Sequence, residues 1–174
     1  NCKDVNGVYF FDRMLSWWSR YIGIDPEWKE PVRLDVKDGK IVKISGGYEA
    51  DAIHRFLTHM ESKVGEGIWK FDTFHFGVHP NAKISEYECP NPLHKRIIEH
   101  AHTSNLHVHI GSAGANENYK YYTHITGDIR NATLKVGDTL VYEDGWLCCL
   151  DDPEVRRVEA KYPNLPGIPE RWQR

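Results

Sequence analysis

The chain lacks the features that would place it at once in several large classes. It has no apolar run near the ~20 residues that a bilayer-spanning helix needs, so no membrane segment is expected. It has no excess of charge of one sign: 22 Lys and Arg stand against 25 Asp and Glu, a formal net charge of −3. Nothing in that balance draws the chain toward nucleic acid or an anionic membrane. Cysteine is scarce. Cys2, Cys89, Cys148 and Cys149 match no zinc spacing, and a bond between the adjacent Cys148 and Cys149 would be strained. Free thiols in a reducing cytoplasm are the expectation. Neither a signal peptide nor an initiator Met stands at Asn1-Cys2-Lys3-Asp4, which suggests a processed or trimmed terminus with part of the polypeptide absent. Without a signal peptide, the sequon Asn131-Ala132-Thr133 carries no weight. There is no internal repeat and no low-complexity tract.

What the sequence does contain is sufficient for a core. At 174 residues, one domain is the natural expectation. Residues 1–30 are rich in aromatics (Tyr9, Phe10, Phe11, Trp17, Trp18, Tyr21, Trp28), as in a covering or interface segment. Val32, Leu34 and Val36 alternate with polar residues, Asp38-Gly39 turns the chain, and Ile41, Val42 and Ile44 return, which is a hairpin pattern. Ala50, Ile53, Phe56, Leu57 and Met60 recur at helical spacing between Tyr48 and Lys63. A strand is expected from Ile68 to Val78, a helix from Pro92 to His102 and a strand from Leu106 to Gly111. Tyr121 to Leu134 reads as extended, and Leu140–Tyr142 and Trp146–Cys148 as short strands around the Glu143-Asp144-Gly145 turn. The resulting class is α+β, a mixed or antiparallel sheet with hairpins and two main helices. Residues 31–150 form the expected catalytic-type domain, and 151–174 an irregular, proline-rich tail.

The ten histidines are the most suggestive residues. His75 and His79 lie in Phe74-His75-Phe76-Gly77-Val78-His79-Pro80. His107 and His109 lie in Leu106-His107-Val108-His109-Ile110-Gly111, and His124 precedes Ile125-Thr126-Gly127-Asp128. Alternate strand residues point to one face, so His107 and His109 project together. Neutral imidazole is the commonest metal ligand and also moves protons near pH 7. Two readings stand open on spacing alone: ligands around a metal, or packed and solvated rings. Gly77, Gly111 and Gly127 close to the histidines fit a backbone that approaches a ligand or a tight turn. Asp72, Glu86, Glu88, Glu117 and Asp128 are candidate carboxylates for an Fe(II) site of two histidines and one carboxylate. His54, His59, His94, His100 and His102 read as surface residues, and Pro80 makes His79 a poor strand residue.

The order of these segments resembles the C-terminal catalytic half of the aminopeptidase T-type metallopeptidases and their relative, 2,5-dihydroxypyridine 5,6-dioxygenase. The matching pieces are Pro31-Val32-Arg33-Leu34 through Lys40-Ile41-Val42 and Gly46-Gly47, Phe74-His75-Phe76-Gly77 with Pro80-Asn81-Ala82, Leu106 to Gly111, and His124 leading into Ile129-Arg130-Asn131-Ala132-Thr133. Together they cover roughly residues 31–147. The resemblance implies an aminopeptidase T C-terminal-domain-like fold. It further implies His75 and His124 as metal ligands, with His107 matching a further ligand of the peptidases. It also exposes a departure: both groups carry a metal-binding aspartate where this chain has Thr126, and a hydroxyl is a poor ligand beside carboxylate and imidazole.

The reading that follows is a mononuclear non-haem Fe(II) dioxygenase that cleaves a small hydroxylated aromatic or N-heterocyclic ring, with dioxygen as co-substrate. Its metal ligands are His75, His107 and His124. His109 carries a proton and Asp128 orients a ligand or completes the shell. One alternative is an aminopeptidase-type hydrolase using Zn(II) or Co(II). Another is a non-catalytic subunit whose metal site has decayed. A homo-oligomer or a partner subunit is expected to complete the missing N-terminal half, in the cytoplasm.

Overall fold

The expected hairpin anchors the fold. In the computed structural model, which describes residues 4–13, 18–85, 87–111 and 124–171, β2 (Val32–Lys37) pairs antiparallel with β3 (Lys40–Ser45). Asp38 and Gly39 both hold positive φ, at 49° and 71°, the primed-turn conformation whose twist matches the flanking strands. Val32, Leu34 and Val36 turn inward and their neighbours turn outward. Ahead of them the aromatic N-terminal segment supplies a third strand, β1 (Gly7–Phe11), with Phe11 opposite Val32, and a one-turn helix, α1 (Trp18–Ile22). Glu86, Glu117, Cys2, Trp17, the polar loop through Asn118 and residues 121–123 lie outside the described residues.

Two units alternate along the chain, residues 1–75 with 107–129 and residues 76–106 with 130–174. In the first, α2 (Tyr48–Val64) packs the stripe Ala50, Ile53 and Leu57 onto β2 and β3, and Gly65 ends it, donating its N–H to the Glu61 carbonyl. The strand expected from Ile68 starts later and stops earlier. A 3₁₀ turn occupies Glu66–Trp69, and β4 runs only from Phe71 to Phe76. Phe71, fully buried, meets the Tyr9 ring at 4.6 Å, and its N–H bonds the Gly39 carbonyl at 2.8 Å, which ties β4 to the hairpin turn. β4 lies beside β5 (Asn105–Ile110), which lies beside β6 (Ile125–Arg130).

In the second unit, the helix expected to reach His102 is α3 (Pro92–Ile98), after which the chain tightens into a 3₁₀ turn at Glu99–Ala101. Asn91 caps α3, accepting the N–H groups of Leu93 and His94, with Pro92 in the first turn where its missing N–H costs nothing. β7 (Leu134–Val136), β8 (Thr139–Glu143) and β9 (Trp146–Leu147) form an antiparallel meander. The tail is not wholly irregular: α4 (Pro153–Glu159) occupies it, capped by Asp152, whose carboxylate accepts the Glu154 N–H. Asp-Pro-Glu is a helix-start signal, overlooked because the prolines further on suggested loop. The architecture is therefore α+β, with three small sheets and four helices among the described residues, of which α2 alone is long.

Candidate metal centre

The histidines come together because of strand register. Gly77 donates its N–H to the Asn105 carbonyl at 3.1 Å, and Gly111 donates to the Lys70 carbonyl at 2.8 Å. Bonds between the start of one strand and the end of the other make β4 and β5 antiparallel, which sets His75 beside His107 and Thr73 beside His109. Alternation then directs Thr73, His75, His107 and His109 to one face. The His75 and His107 rings stack with centroids 5.0 Å apart and planes within 14°. His75 and His109 lie 4.7 Å apart by the same measure, and His107 and His109 5.4 Å.

One ligand-capable nitrogen from each of His75, His107 and His109 lies within 4.8 Å of the other two. Metal–imidazole bonds of ~2.1 Å put two ligands of one ion ~4 Å or less apart, so a contraction of about 1 Å closes the group. Three imidazoles suit a borderline ion such as Fe(II), Co(II) or Zn(II), and the donor set therefore fits a mononuclear centre. His75 is exposed, His107 is buried and His109 is half-buried, so the cluster faces outward on one side.

Thr73 was not singled out from the sequence, although it stands two residues before His75 and so shares its face. Its Oγ1 lies 3.2 Å from His75 Nε2 and 2.9 Å from His109 Nδ1. His124 adjoins from the other side, its ring centroid 3.9 Å from that of His109. The Trp18 indole N–H donates to the His124 carbonyl at 2.8 Å, giving the aromatic N-terminal segment a definite task in holding this backbone. Desolvation lowers the His124 pKa below the ordinary imidazole value; the nearby Asp72 charge opposes that shift and His75 adds to it. Asp72 alternates to the other side of β4, buried and paired with the Lys70 ammonium at 2.8 Å.

A family model described as 2,5-dihydroxypyridine 5,6-dioxygenase matches residues 20–149. The chain belongs to the 2,5-dihydroxypyridine 5,6-dioxygenase family. Its fold is similar to the solved structure of 2,5-dihydroxypyridine dioxygenase from Pseudomonas putida KT2440, with a TM-score of 0.65 and 17% identity over 84% of this chain. The match covers 41% of that structure, so the chain spans about two-fifths of this relative's length. No curated protein sequence matches the chain.

Among the other residues proposed for the dioxygenase site, Asp128 is fully buried on β6 and Thr126 is 8% exposed, and neither belongs to the three-histidine group. His79 falls beyond β4, its Nδ1 accepting the Asn81 N–H. His54, His59 and His94 are exposed, as read from the sequence. His102 is not a surface residue: it is half-buried, its Nδ1 2.6 Å from the Ser104 hydroxyl and accepting the Ser104 N–H, because the chain turns back on itself there. The glycines beside the histidines also have a different cause from the one expected. A Cβ at Gly77 would lie 2.1 Å from the His102 carbonyl oxygen, and one at Gly127 would lie 2.4 Å from the Phe11 ring. These positions let backbone pack against protein, and neither needs a ligand to explain it.

Proposed function

We propose that this chain carries the metal-binding part of a ring-cleaving dioxygenase whose substrate is a small hydroxylated N-heterocycle or aromatic of the dihydroxypyridine kind. The observation that supports this reading most is the triad of His75, His107 and His109 within a chain of the 2,5-dihydroxypyridine 5,6-dioxygenase family. In our reading these three hold Fe(II), and His124, read from the sequence as a ligand, exchanges roles with His109 and becomes the proton carrier. Fe(II) so held would leave positions for substrate and dioxygen and bring the two together.

The protein's own residues then have separable tasks. The exposed edge at His75 admits the substrate. An unprotonated His124 imidazole accepts the proton of the substrate hydroxyl. Asp128, buried beneath this surface, orients the strand and its histidine. We further propose that a second subunit or a second copy completes the pocket over the exposed histidine. Cys89, Cys148 and Cys149 are free thiols, which suits the cytoplasm as the compartment. No helix among the described residues is long and apolar enough to cross a membrane.

The test is anaerobic Fe(II) loading followed by oxygen-electrode measurements with 2,5-dihydroxypyridine. Oxygen consumption coupled to loss of the pyridine chromophore, absent in His75→Ala, supports the proposal. Turnover of peptides without oxygen, or no turnover with Fe(II) bound, contradicts it.

A further inference from the structure

The triad contains no carboxylate, and its geometry includes a hydroxyl with nothing assigned to it. Asp72 pairs with Lys70 on the other side of β4, and Asp128 stands outside the group. What touches two of the three rings is Thr73, at 3.2 Å from His75 Nε2 and 2.9 Å from His109 Nδ1. A threonine oxygen has two lone pairs and can accept two N–H groups at once while its own proton points elsewhere.

We infer that Thr73 is the positioning residue of an all-imidazole ion site, its oxygen accepting His75 Nε2–H and His109 Nδ1–H together. This inference rests on the metal-binding reading above. The consequence follows from the chemistry of neutral imidazole, which carries one proton and one lone pair on its two nitrogens. With the proton held on His75 Nε2 and His109 Nδ1, the lone pairs fall on His75 Nδ1 and His109 Nε2, ready for an ion. One short side chain thus fixes the tautomers and orientations of two ligands on two strands. Outer hydrogen-bond partners of this kind are usually carboxylates or carbonyls and raise ligand basicity. A hydroxyl orients the rings without adding charge, so a divalent ion here keeps its full 2+ from the protein's side. Such a centre favours a chelating anion, such as a deprotonated hydroxy-heterocycle, over a neutral ligand.

Two measurements test this, and they fail separately. The first needs no metal. In long-range ¹H–¹⁵N spectra of the metal-free protein, at a pH where the rings are neutral, His75 carries its proton on Nε2 and His109 on Nδ1. In Thr73→Val that preference is lost, and Thr73→Ser restores it. The opposite tautomers in the wild-type protein, or no change in Thr73→Val, would overturn the inference whatever the metal does. The second is Co(II) affinity by competition with a chelating dye. Thr73→Val weakens it about 10–100-fold at unchanged stoichiometry, the usual effect of removing an outer partner. Thr73→Ser stays near wild type, and Asp72→Asn, on the other side of β4, changes it less than about threefold. Unchanged affinity in Thr73→Val, or a carboxylate variant losing as much as Thr73→Val, overturns the all-imidazole site while leaving metal binding intact. Correct tautomers with no Co(II) uptake by the wild type overturn both the ion site and the function proposed above.

Discussion

Substituting Gly77 by alanine gives the sharpest test of how the second unit is packed within itself. The new Cβ would stand 2.1 Å from the His102 carbonyl oxygen and 2.4 Å from the Ala101 carbonyl carbon. Ordinary contact begins near ~3.5 Å, so one segment has to yield by roughly 1 Å or more. The obstructing atoms are backbone, held by the bonds from Gly77 N–H to Asn105 and from His79 N–H to the Ala101 carbonyl, at 3.1 and 2.8 Å. No rotamer change can relieve the clash. Overpacking costs ~1–3 kcal/mol where side chains can shift, and a backbone obstacle puts this variant at the upper end, about 3 kcal/mol. For a chain of this size that is a fall in Tm of roughly 6–12 °C. Urea denaturation followed by tryptophan fluorescence should show a lower midpoint with an unchanged slope. Gly47→Ala is the control: the nearest obstacle to its Cβ would be the Glu30 carboxylate at 2.9 Å, the end of a flexible side chain, and it should cost less than about 1 kcal/mol. A Gly77→Ala midpoint equal to wild type would refute the packing described here.

Two further predictions concern the same unit. Tyr142 donates its hydroxyl to the Gly77 carbonyl at 2.8 Å, and burial, with a smaller contribution from Cys149, pushes its pKa up to about 12. An unfolded tyrosine ionises near pH ~10, so above that the unfolded chain has shed a proton that the folded chain keeps. Stability therefore falls as pH rises between about 10 and about 12, and Tyr142→Phe flattens that fall in urea titrations across the window. At neutral pH the same variant costs ~1–3 kcal/mol, because the buried carbonyl loses its donor. Asn91→Ala removes the cap that accepts from Leu93 and His94 at 3.0 and 3.1 Å, and should cost ~1 kcal/mol with a loss of far-UV helix signal confined to a few residues.

Much of the fold was legible in the sequence, and the reasons are local. The β2–β3 hairpin declared itself through period-two alternation around Asp38-Gly39, and α2 through its apolar stripe, both signals contained within about twenty residues. The boundaries of β4 and α3 were harder, since the 3₁₀ turns at Glu66–Trp69 and Glu99–Ala101 have no periodicity of their own to read. At the site, alternation alone put His107 and His109 on one face. Placing His75 opposite His107 needed the register of β4 on β5, which no local pattern encodes. For the same reason Thr73 was passed over: a threonine on a strand is ordinary, and it acquires meaning only when His109 is brought across from the neighbouring strand. The Trp18 bond to the His124 carbonyl spans 106 positions and left no trace in the sequence beyond an unexplained aromatic. Gly77 and Gly127 were noticed for the right physical reason, close approach, with the wrong object: protein backbone and the Phe11 ring occupy the space assigned to a ligand.

His75, His107 and His109 are proposed to act together as one ion site. Anaerobic titration of the purified chain with Fe(II), read by calorimetry, tests it most directly. Uptake of a single ion per chain is expected, with affinity lost in each of His75→Ala, His107→Ala and His109→Ala. No uptake, or uptake undiminished in all three variants, would contradict it.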